Sequence, residues 1–135
     1  MTELELAGYK FLKARIAKTE ERIAELELED GLGSVNMDGM PHGSTPGDPV
    51  ARIAIAKAAL HEYLMRQLAE LKEKEREIRE YIESVENEEV KLIIEWRFID
   101  LLDWYDIAEN LAELLEKPID RTTPAKKLKK YLQEH

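Results

Sequence analysis

Six residues near the C-terminal end hold the only clear chemistry in the sequence: Arg121, Thr122, Lys126, Lys127, Lys129 and Lys130. Cationic side chains and a hydroxyl gathered this closely can bind phosphate oxygens, in a way that weakens with salt and carries no base sequence. Reading bases usually takes Arg, Asn or Gln at the groove edge, and this stretch offers few of them. From Ile119 to His135 five basic residues stand against two acidic ones, a local charge of +3. The chain as a whole carries −9, so the remainder holds −12. A protein so charged does not coat nucleic acid with its whole surface, but one basic end can still touch it.

Other chemistries are poorly served. The absence of cysteine removes disulfides, thiolate zinc sites and cysteine nucleophiles. His42, His61 and His135 stand without two further ligands at a metal-binding spacing, so neither a metal nor another cofactor is expected. Paired carboxylates arise from composition alone among 29 acidic residues, and no nucleophile or phosphate loop accompanies them. An enzyme is therefore not expected.

The elements that must position the basic cluster are helices. Tyr9, Leu12, Ile16, Thr19, Ile23 and Leu26 recur at spacings of 3 and 4 and predict a first helix over Thr2 to Glu29. Residues 30–47 break the pattern with glycines and prolines and predict a long connection, a plain linker or a binding loop. Asp48 is placed as N-cap and Pro49 as the first residue of a second helix running to about Ser84. Its apolar face reads Val50, Ile53, Leu60, Leu64, Leu68, Leu71, Ile78, Ile82 and Val85, interrupted by Gln67 and Lys74. Either these two interruptions restrict register or they lie at the edge of the stripe.

Three shorter helices follow. Asn87 caps a third with Val90, Ile93, Ile94, Phe98 and Leu101 inward, and Asp103 caps a fourth with Asp106 in a capping-box-like position. Pro118 marks its stop, and Thr123-Pro124 opens a fifth with Leu128 and Leu132 inward. The expected fold is all-α: a long antiparallel, coiled-coil-like hairpin over residues 1–86, then a three-helix, helix-turn-helix-like head over 87–135. A two-helix hairpin buries one stripe per helix, which points to a homodimer or to the head folding back. Trp96, Phe98, Trp104 and Tyr105 lie within ten residues; core is the first reading, and Met40, Trp96, Trp104 and Tyr105 form a weaker protein-binding set. No apolar run reaches membrane-spanning length and no signal-peptide layout is present, so no membrane contact and a cytoplasmic location are expected.

The strings Met40-Pro41-His42-Gly43, Asp48-Pro49-Val50, Trp96-Arg97-Phe98-Ile99 and Trp104-Tyr105-Asp106-Ile107-Ala108 resemble small phage and prophage proteins of Gram-positive bacteria, the sigma-region-4-like or ArpU-like regulators of late transcription. The resemblance implies a cytoplasmic regulator in a phage-infected or lysogenic host. It places the fifth helix in the major groove of double-stranded DNA and the fourth across the backbone. Ala112 to Glu116 continue as helix, and Pro118 to Thr122 makes a connection longer than the turn of a compact motif. The alternative expectation is an acidic helical adaptor or inhibitor that binds RNA polymerase or another phage or host protein without touching DNA.

Overall fold

The computed structural model describes the backbone of residues 1–35 and 49–135, and the side chains of 1–29 and 49–135. The described residues form five helices and no strand: α1 (Glu3–Val35), α2 (Pro49–Ser84), α3 (Glu88–Ile94), α4 (Trp104–Leu115) and α5 (Thr122–Glu134). A single π-helical turn, Glu95–Ile99, continues α3. None of the helices is long and apolar enough to cross a membrane.

One boundary of the two long helices differs from the sequence expectation. The first helix does not stop at Glu29 but continues through Gly31 and Gly33 to Val35. Once nucleated, a helix extends at little cost per residue, and each glycine subtracts only about 1 kcal/mol. Of the predicted connection at 30–47, residues 30–35 are helical, and the rest, with Asp48 as a cap, lies outside the described residues. Pro49 does open α2, as its fixed φ and missing N–H favour.

The chain divides into two compact units, one made of Met1–Leu12 with Leu71–His135, the other of Lys13–Glu70. The first unit thus adds one end of each long helix to the residues expected to form the head. Its core joins Leu6 and Tyr9 of α1, Ile78 and Ile82 of α2, Val85, and Val90, Ile93, Ile94, Phe98, Ile99, Ile107, Leu111 and Leu128 from the shorter helices. Helix caps set the directions of those short elements. Asn87 Oδ1 accepts from the backbone N–H of Glu89 (2.9 Å) and Val90 (3.2 Å), and Asp103 Oδ1 accepts from that of Asp106 (2.8 Å). Each such cap is worth about 1 kcal/mol.

In the second unit, α1 buries Ile16, Thr19, Ile23 and Leu26, the 3-and-4 series legible in the sequence. Gln67 of α2 is the buried polar member facing it, and its side chain oxygen accepts a 2.8 Å hydrogen bond from Thr19 Oγ1. Beside it, Arg15 Nη2 donates to the Tyr63 hydroxyl at 2.9 Å. Gln67 therefore belongs to the seam rather than its edge, whereas Lys74, in the first unit, is half-buried with its ammonium beside Gly8. Val50, expected on the inner face of α2, is exposed.

Candidate nucleic-acid interface

Helix α5 amounts to an amphipathic cylinder whose two sides are set by spacing. Pro124 and Leu128 are buried on one side. At 100° per residue, Lys126, Lys129 and Lys130 fall within about 100° of one another on the opposite side, and all three are exposed. None of the three makes an ion pair among the described residues.

Lys127 lies between those two sides, and its ammonium is paired with the Glu89 carboxylate at the start of α3. The basic cluster seen in the sequence is therefore divided: three lysines face solvent together, and the fourth ties α5 to α3. Arg121, at the N-cap position, gives α5 no side-chain cap hydrogen bond. Thr122 is exposed and donates its hydroxyl to Asp120 Oδ2 at 3.1 Å.

Arg121, Thr122, Ala125 and Lys126 share a concavity of about 450 Å³ with Asp103, Trp104 and Tyr105 at the start of α4. Its α5 wall is cationic and its α4 wall is not. Asp103, Asp106 and Glu109 cluster around Tyr105, which is 59% exposed. The Asp103 charge, followed by desolvation and the Asp103 hydrogen bond, holds the Asp106 carboxyl above the ordinary aspartate range. The charge and hydrogen bond of Glu109 likewise push the Tyr105 phenol up. Among the described residues the Asp106 carboxyl accepts no hydrogen bond from the Asp103 backbone N–H, so only the Asp103 half of a capping box is made.

The aromatic cluster separates into core and surface. Trp96 is half-buried against the first unit's core, Phe98 is buried in it, and Tyr105 alone is freely exposed. Trp104, also half-buried, lies under the Arg97 guanidinium, 4.6 Å from ring centroid to Arg97 Cζ. Met40 lies outside the described residues.

Arg97 was not singled out by residue type or spacing, yet it organises the entry to α4. Besides covering Trp104, its Nη1 donates to the Leu102 carbonyl at 3.1 Å. The π turn makes this reach possible: Asp100 N–H donates to Glu95 O at 3.0 Å, Leu102 N–H to Trp96 O at 2.9 Å, and Leu101 takes a left-handed φ of 59°. The signal available in the sequence was the spacing Arg97 to Trp104, a cation seven residues ahead of an indole, with no glycine or proline to announce the turn between them.

No protein family, curated protein or solved structure matches the chain. The functional reading therefore rests on the geometry of the head and on the residues themselves. At the far end of α4, Glu116 adopts a left-handed φ of 55° as its C-cap, and the chain passes Pro118 before α5 begins. The connection is six residues, 116–121; it is long, as expected, but begins at Glu116, which was expected within the helix, and ends before Thr122, which is already the first residue of α5. Ile107, Ala108 and Leu111 are the buried residues of α4, with the small Ala108 among them.

Proposed function

We propose that this protein binds double-stranded DNA through the outer face of α5, as a transcription regulator of the phage type, and dimerises through the helices of residues 1–86. The observation that carries the reading is the common exposed face of Lys126, Lys129 and Lys130, opposite the buried Pro124 and Leu128. Such a face binds phosphates and releases counterions. The acidic cluster at the start of α4 makes that helix a poor surface for the DNA backbone, so contact centres on α5 and Arg121. A duplex titration at low and physiological salt tests the reading. Replacing Lys126, Lys129 and Lys130 by Ala is expected to weaken binding and to flatten the slope of log K against log salt by roughly 2 to 3. No binding at low salt, or a slope that the replacements leave unchanged, sinks it.

A second reading draws support from Tyr105. An exposed phenol ringed by Asp103, Asp106 and Glu109 suits a basic segment of another protein, such as a polymerase or a phage or host factor, better than it suits DNA. Under this reading Tyr105→Ala abolishes partner capture while the lysine replacements leave it intact.

A further inference from the structure

Helix α2 carries two heptad-like series, and only one of them is buried. Ile53, Leu60, Leu64, Gln67 and Leu71 are buried or half-buried, whereas Ala51, Ile55, Ala58, Glu62, Met65 and Ala69 are all exposed. The second series repeats at 4, 3, 4, 3 and 4 residues, the spacing of a helix-packing seam. Several members lie two residues from an inner position, which is 200° around a helix, so this seam is on the far side of α2. Its two large members are open to solvent: Ile55 is 71% exposed and Met65 66%.

The outer series is self-complementary. Reflected about Leu60 it maps onto itself, so an antiparallel second copy pairs Ala51 with Ala69, Ile55 with Met65 and Ala58 with Glu62. Small residues meet small ones, large meet large, and the single carboxylate lies over a methyl group. Charge selects the same direction. Residues 49–60 contain Arg52 and Lys57 and no acid, a charge of +2, while 61–70 contain Glu62 and Glu70 against Arg66, a charge of −1. Antiparallel pairing lays the acid-free stretch of each copy along the acid-bearing stretch of the other; parallel pairing would set Glu62 against Glu62. A twofold contact has this reciprocal pattern, residue i on j and j on i.

We infer that the outer face of α2 is a homodimer interface, with two copies packed antiparallel about a twofold axis at Leu60 over about 27 Å of helix. This specifies the dimer part of the reading above, and its test contains no DNA, so its failure leaves the phosphate-binding face of α5 unaffected. Sedimentation equilibrium of the full chain is expected to show a dimer. Ile55→Glu and Met65→Glu each weaken it at least tenfold while helicity by circular dichroism stays the same, because both side chains are exposed in the single copy.

The chain has no cysteine, so single-cysteine variants report direction cleanly. An oxidised equimolar mixture of Ala58→Cys and Glu62→Cys chains yields mixed disulfide dimers, and neither variant alone does so efficiently. A monomer at all concentrations, or a dimer indifferent to both glutamate substitutions, overturns the interface. Efficient disulfide formation by each variant alone overturns the antiparallel arrangement.

Discussion

The guanidinium of Arg97 covers the ring of Trp104 at 4.6 Å and simultaneously donates to the Leu102 carbonyl, closing the π turn onto the first residue of α4. One side chain thereby satisfies a backbone acceptor and covers an aromatic face between two elements that share a core. Stacking and a charged hydrogen bond of this kind each contribute on the order of 1 kcal/mol. Arg97→Ala is expected to destabilise the protein by about 1 to 3 kcal/mol, read as a lower midpoint in urea. Arg97→Lys keeps the charge but loses the planar fork, and should recover less than half of that loss. A midpoint unchanged in Arg97→Ala would deny the contact a stabilising role.

Glu89 and Lys127 predict an asymmetry within the lysine cluster. Since the Lys127 ammonium is already paired with Glu89 across α3 and α5, Lys127→Ala should weaken the proposed DNA binding less than Lys129→Ala or Lys130→Ala. Glu89→Gln frees the ammonium and removes an acid, so it should strengthen binding at low salt by a fewfold. Equal losses for all the lysines would show that the ion pair does not withhold Lys127 from phosphate.

Gln67 combines a 2.8 Å hydrogen bond at its oxygen with a buried Nε2 that has no partner among the described residues. An unsatisfied buried donor costs on the order of 1 to 3 kcal/mol. Gln67→Leu, similar in volume, should therefore raise the thermal midpoint by a few degrees, and the Thr19 hydroxyl retains the Arg15 carbonyl as acceptor at 3.2 Å. A fall in the midpoint would mean that the Thr19–Gln67 bond outweighs the orphaned donor.

Asp106 predicts a pH signature. Its carboxyl lies above the ordinary value of 3.8, chiefly because of the Asp103 charge. The folded protein holds that proton more tightly than the unfolded chain, so this group's contribution to stability is present below about 3.8 and is lost as pH rises through the raised value. Carbon-detected NMR titration should show the Asp106 midpoint moving down in Asp103→Asn, and by less in Glu109→Gln. An Asp106 midpoint insensitive to Asp103 would refute the coupling.

Local signals carried the sequence reading where the physics is local. The 3-and-4 spacing of Leu12, Ile16, Thr19, Ile23 and Leu26 names the buried side of α1, because side chains so spaced share a helix face whatever lies opposite. Asn87 and Asp103 announced α3 and α4, since a cap requires only a side-chain oxygen beside the next two or three backbone N–H groups. The alternation of lysines with Leu128 likewise made an amphipathic α5 legible, and with it the candidate phosphate face.

Tertiary structure decided what depends on partners distant in the chain. Lys127 reads like its neighbours until Glu89, 38 residues earlier, is brought to it. Gln67 reads as an interruption until Thr19 is found 48 residues away. The π turn was illegible because its i-to-i+5 bond from Asp100 and the reach of Arg97 to Trp104 join residues that neither helical spacing nor residue type foreshadows as partners. Helix faces and caps follow from the sequence itself because they depend on neighbours within about four residues. Which lysine is held, which amide is buried and which aromatic is covered depend on packing between segments, and only the folded chain brings those segments together.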